Sequence, residues 1–139
     1  MSAKVLDSWA VLGWLQGESP ARDVVRRTLR RAETGKLDLL MSWINLGEVF
    51  YLLSKRVGND RAESFLSQVP SMPFQLVLPD KEAIIGAARW KSQFPIAYAD
   101  AFAIETARRF QARLITGDPE LRVLEAAGVV KLHWIGRAQ

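Results

Sequence analysis

Four acidic residues stand where a folding chain does not place a carboxylate cheaply. Asp7 follows the apolar run KVL, and Asp118 follows LIT after a single glycine. Both therefore lie at the carboxyl ends of strand-like segments, the place where open α/β sheets bind ligands. Glu48, in WINLGEVFYLL, has Ile44 four residues before it and Leu52 four after, so on a helix it shares an apolar stripe. Asp100, in YADAFAIETA, is followed at helical spacing by Ala103, Ile104 and Ala107. Apart from Lys55, two turns after Glu48, no Lys or Arg stands at the adjoining turns. An ionised carboxylate on such a stripe must find a partner, shift its pKa or destabilise the fold.

Each acid also has a local explanation. Asp7 or Ser8 can cap the following helix, and Asp118 can serve the turn in G-D-P. Asp100 sits in a first helical turn after Pro95, where the helix dipole favours an acid, and Glu48 can occupy one solvent-facing gap in a broad apolar helix. A divalent cation explains all four together. Mg²⁺ and Mn²⁺ take oxygen ligands, and need few carboxylates when phosphate and water complete the shell. The remaining eleven acids, among them Glu18, Asp23, Glu33 and Asp60, lie among charged residues or at helix starts and are read as surface groups.

The elements that must position these acids follow from period and punctuation. Short strands are expected at AKVLD, LDLLMS, FQLVL, ARLITG and VVKLHWI. Helices are expected at SWAVLGWLQG, SPARDVVRRTLRRAETG, WINLGEVFYLLSKRVG, NDRAESFLSQV, DKEAIIGAARWKSQF, AYADAFAIETARRFQ and PELRVLEAAG. Strands alternating with helices imply an α/β/α sandwich with a mainly parallel central sheet, here one domain over residues 1–139.

Composition narrows the chemistry. With 139 residues, 49% of them hydrophobic, the chain can bury a core. It has no cysteine, which excludes disulfides, thiolate nucleophiles and Cys-based zinc sites. The single histidine, His133, excludes His-pair chemistry and is read as structural. No apolar run approaches the roughly 18 residues of a membrane span, and MSAKVLDSW has no signal-peptide pattern, so a soluble cytoplasmic protein without membrane contact is expected. Net charge is +4, with 13 Arg against 6 Lys, which leans toward nucleic acid or an acidic protein partner.

Taken in order, VLDSWAVL, SWINLGEVFYLL, YADAFAIETA and LITGDPEL resemble the four acidic motifs of PIN-domain nucleases, most of all the VapC-type toxins of bacterial and archaeal toxin–antitoxin pairs. The resemblance spans roughly residues 4–130. It implies a PIN-like fold in which Asp7, Glu48, Asp100 and Asp118 form an acidic quartet around one or two Mg²⁺ or Mn²⁺ ions. Ser8 and Thr116 match hydroxyls that accompany the first and last acids, and Ser42 matches a frequent small hydroxyl residue; Gly117 and Pro119 fall where the family varies. The implied activity is endoribonucleolytic hydrolysis of RNA, with metal activating water because no histidine or other base is at hand. A cognate antitoxin and a homodimer are the implied partners.

The basic residues are placed more loosely. Arg26, Arg27, Arg30 and Arg31 form two i,i+4 pairs on one helix, read as a solvated face, an RNA-backbone track or an antitoxin docking surface. Arg108, Arg109 and Arg113 suit the end of the Asp100 helix. Trp9, Val11, Leu12, Trp14 and Leu15 are expected either in the core or, exposed, along a groove for an antitoxin helix. Three other readings remain. A phosphatase of the haloacid dehalogenase type needs D-x-D after its first strand, where this chain has D-S-W. A receiver-like domain needs an acid pair at that strand and a suitably placed Lys, and neither Lys4 nor Lys131 fits. A non-catalytic nucleic-acid-binding module on the same fold is opposed only by the intact quartet.

Overall fold

The computed structural model describes residues 2–137. Five strands, β1 (Ala3–Leu6), β2 (Asp38–Ser42), β3 (Gln75–Val77), β4 (Arg113–Thr116) and β5 (Leu132–Trp134), form one sheet in the order β3-β2-β1-β4-β5, every pairing parallel. Both faces are covered, so the central strands read as unbroken apolar runs rather than as alternation. In β1, Leu6 belongs to one hydrophobic cluster and Val5 to the other.

Helices α1 (Ser8–Leu15), α2 (Ala21–Glu33), α3 (Trp43–Val57) and α4 (Asn59–Gln68) bury Val11, Val25, Leu46 and Phe65 in the cluster on the Leu6 face. Helices α5 (Lys81–Gln93), α6 (Tyr98–Arg109) and α7 (Arg122–Ala126) bury Ala87, Ile104 and Leu124 on the Val5 face. This is the α/β/α sandwich with a parallel sheet that the alternation of elements predicts.

Some boundaries are narrower than their sequence patterns. VVKLHWI and FQLVL contribute only three ladder residues each, and PELRVLEAAG divides into a 3₁₀ turn, Pro119–Leu121, followed by the short α7. The reason is shared: apolar character extends past the point where hydrogen-bond partners exist, because β3 and β5 are edge strands. Val11 and Leu12 are buried core residues, and Trp14 and Leu15 pack partly buried against the same cluster, so of the five apolar residues in this stretch only Trp9 is exposed.

The chain runs β1, β2, β3 outward in one direction, then returns to place β4 on the other side of β1. The strand order therefore reverses between β1 and β4. In open α/β sheets the crevice at the carboxyl ends beside such a switch point is the usual ligand site. Asp7 and Asp118 are the acids that follow those two strands.

Candidate metal centre

Asp7 follows Leu6 and forms the N-cap of α1, where its Oδ1 accepts the Ala10 N–H at 2.8 Å. Capping was one reading of this residue, and it explains one oxygen. It does not explain the other: Oδ2 is buried without a hydrogen-bond partner, on a residue with 0% exposure. The carboxyl pKa rises to about 7, mainly through burial, with the charges of Asp118 and Glu48 adding to it; the Thr116 hydroxyl and the Ala10 N–H pull the other way.

Asp118 is placed by β4. Leu6 and Ile115 are partners in the β1–β4 ladder, so the two chains leave the sheet side by side. Buried Thr116 accepts the Asp118 backbone N–H at 3.1 Å, and Asp118 Oδ1 accepts the Glu120 N–H at 3.0 Å, which shapes the 3₁₀ turn. Thr116 is thus a turn-forming hydroxyl beside two acids. Gly117 is required for a steric reason: a Cβ there would stand 2.3 Å from Cη2 of Trp9.

Asp100, in the first turn of α6, is 7% exposed, and no described donor bonds its carboxylate. Burial raises its pKa to about 8, helped by the charges of Asp118, Asp7, Glu48 and Glu120. One carboxylate oxygen from each of Asp100, Asp118 and Glu120 lies within 4.8 Å of the others. Glu48 projects from α3, half-buried, close enough for its charge to act on both Asp7 and Asp100.

All four acids named from sequence therefore gather at the switch point, with Asp100 and Asp118 closest and Asp7 and Glu48 around them. No basic side chain compensates them: the three ion pairs among the described residues, Arg22–Asp23, Arg26–Asp23 and Arg109–Asp80, lie elsewhere. Glu120 is the acid that sequence reasoning missed. It is exposed, has no apolar stripe around it, and reaches Asp100 only because the Asp118 turn folds back. The adjacency D-P-E was the available signal.

A second missed residue is Asn45, on α3 one turn before Glu48. It is wholly buried; its Nδ2 donates to the Ala99 carbonyl at 3.0 Å and to Ser8 Oγ at 3.4 Å. Ser8 in turn donates to the Asn45 carbonyl at 3.2 Å. Ser8 thus joins a tie among α1, α3 and α6, each tied residue lying next to or one turn from Asp7, Glu48 or Asp100. Ser42 caps α3 by accepting the Ile44 N–H at 3.2 Å.

The donor set is wholly oxygen, one buried carboxylate oxygen has no hydrogen to accept, and several negative charges face one another in a desolvated place. Hard divalent cations such as Mg²⁺ and Mn²⁺ fit this set; softer metals that favour sulfur or imidazole do not.

Comparison with known proteins gives the same frame. The family model described as PIN domain matches residues 4–127. Among solved structures, VapBC2 from Rickettsia felis, bound to a DNA fragment from its promoter, is similar with a TM-score of 0.71 at 14% identity, covering 94% of this chain and 97% of that one. VapC20 from Mycobacterium tuberculosis, described as a Sarcin-Ricin loop cleaving toxin, is similar with a TM-score of 0.70 at 15% identity, covering 93% and 98%. FitAcB from Neisseria gonorrhoeae gives 0.68 at 18% identity, covering 94% and 96%. Comparison with curated proteins finds no match.

Proposed function

Because the chain belongs to the PIN domain family, we propose that it is a metal-dependent endoribonuclease acting as the toxin of a toxin–antitoxin pair. The observation that carries this reading is the convergence of Asp7, Glu48, Asp100 and Asp118 at the β1/β4 switch point with no cationic side chain among them. Asp100 and Asp118 would hold the ion most directly, with Glu120 beside them and Asp7 and Glu48 binding it directly or through water. When bound, Mg²⁺ or Mn²⁺ supplies an activated water and offsets the charge that develops on a phosphodiester.

The chain's own residues do the rest. The Asp7 cap and the Thr116–Asp118 turn fix two carboxylates before any ligand arrives, so little ordering is needed on binding. Burial keeps water from competing for Asp7. The description of one neighbour as a Sarcin-Ricin loop cleaving toxin supports RNA as the substrate class, and descriptions of others as VapBC or toxin–antitoxin complexes support an antitoxin partner. A homodimer and a cytoplasmic location complete the reading. Among the described residues no helix is long and apolar enough to cross a membrane.

The test is incubation of the protein with total RNA in Mg²⁺, in Mn²⁺ and in EDTA, beside Asp100→Asn. Discrete fragments that need metal and vanish in the variant are the expected result. Binding of RNA without metal-dependent cleavage would instead make this a non-catalytic nucleic-acid-binding module.

A further inference from the structure

The only histidine in the chain takes no part in the acidic site. His133 lies on β5, half-buried, with Nδ1 3.0 Å from Nζ of Lys4 on β1. Strand β4 runs between them, with Arg113 opposite Lys4 and Ile115 opposite His133 in the ladders. Alternation puts Lys4 with Leu6, Arg113 with Ile115 and His133 with Ile135 on one face of the sheet. Leu6, Ile115 and Ile135 belong to the same hydrophobic cluster, so this is the face on which α1 and α2 pack. From α2, Arg31 is near enough for its charge to act on Lys4, and Arg27, one turn before it, on His133.

Five cationic or protonatable side chains thus gather with no acid among them. None belongs to an ion pair of the described residues. Asp38, on the strand beside Lys4, pairs with Ala3 and faces the other side of the sheet from Lys4; Asp23 on α2 is taken up by Arg22 and Arg26. Burial, then Arg31 and Arg113, push the Lys4 ammonium below its usual range; burial, then Lys4, Arg113 and Arg27, do the same to His133. The Lys4–His133 hydrogen bond accounts for the orientation of those two groups. It does not account for the charges of Arg27, Arg31 and Arg113 acting on the same two groups without an acid paired to any of them, Arg113 being held by donating to the Leu132 carbonyl at 3.0 Å.

We propose that Lys4, Arg27, Arg31, Arg113 and His133 form a seat for the sugar–phosphate backbone of RNA, a contact separate from the acidic site. Lys4 and Asp7 are three residues apart on β1, about 10 Å along the strand, so a strand of RNA seated here keeps its neighbouring nucleotides within reach of the carboxylates at the sheet's other end. Charge complementarity favours phosphate: guanidinium groups grip phosphate oxygens in pairs, and repeated phosphates can satisfy several cations at once. This extends the ribonuclease reading by adding an anchor for its substrate, and its test needs no cleavage.

The single histidine makes the test direct. The full chain, with labelled histidine and in EDTA so that no RNA is cut, is titrated with pH by NMR, alone and saturated with a short single-stranded RNA. Phosphate beside the imidazole raises the His133 pKa, and that rise is the expected result. The Arg27→Ala/Arg31→Ala double variant, changed only at exposed positions, should bind the RNA more weakly. Its plot of log affinity against log salt should be shallower by about 1.4, the share of two phosphate contacts on a single strand. A His133 pKa that RNA leaves in place, or a salt slope unchanged in the variant, overturns the seat. So does an equal His133 response to polyglutamate, which would assign the surface to an acidic protein instead. Absence of metal-dependent cleavage, measured separately, would fall on the nuclease reading and leave this binding result standing.

Discussion

At the scale of single residues, the acids divide by what their surroundings already satisfy. Asp7 Oδ1 and Asp118 Oδ1 are used as caps, and Asp7 keeps its Oδ2 buried without a hydrogen-bond partner. This is why Asp7 and Asp118 looked ambiguous in sequence: each serves its local turn and also lies among the gathered acids. Asn45 carries the geometry beneath them. Asn45→Ala deletes the donors to Ala99 and Ser8, leaving the half-buried Ala99 carbonyl without the Asn45 partner. The expected cost is about 1–3 kcal/mol of stability, read by denaturant melting, with a fall in kcat larger than any change in KM because the carboxylates lose alignment. Unchanged kcat in a variant that melts lower would make Asn45 structural only.

At the scale of elements, strands β1 and β4 and helices α1, α3 and α6 were legible because their apolar runs agree with the fold. The caps at Asp7, Ser42 and Asp80 appear where the sequence patterns begin, and each accepts a backbone N–H two or three residues on. What could not be read was contact between distant turns. The approach of Trp9 on α1 to Gly117 after β4, and of Gly136 after β5 to the Gly117 backbone, depends on β4 lying between β1 and β5, which only the strand order establishes. The same holds for Glu120 and for the meeting of Lys4 with His133 across 129 positions of sequence. Gly117→Ala tests the first contact. Its backbone admits alanine, but the new Cβ would meet the indole, so the ring or the Asp118 turn must move. Overpacking of this kind costs about 1–3 kcal/mol, with cleavage falling as Asp118 shifts. Adding Trp9→Ala should restore part of the lost activity, since the two changes share one contact. A double variant no more active than Gly117→Ala alone would show that the turn fails for another reason.

At the scale of the whole molecule, two buried carboxyls at the switch point, Asp7 and Asp100, should make global stability depend on pH and on metal together. Without metal, Asp7 and Asp100 hold their protons up to about 7 and about 8, whereas in the unfolded chain both release them near 3.8. Between those values the folded state binds more protons than the unfolded one, so its stability falls as pH rises. The stabilisation is full below the unfolded pKa and is lost as pH passes through the folded values. Thermal melting of the metal-free protein should therefore decline from weakly acidic to weakly alkaline pH, and Asp100→Asn should flatten that decline. Mg²⁺ or Mn²⁺ reverses the dependence, because the ion binds the ionised carboxylates and displaces their protons. At a hundred times its dissociation constant it adds about 2.7 kcal/mol, largest where the metal-free protein is weakest, and proton release on binding should be measurable by calorimetry in buffers of different ionisation enthalpy. A metal-free melting profile that rises across this range, or metal that stabilises Asp100→Asn as strongly as the native chain, would mean that the acids at the switch point do not act as one pocket.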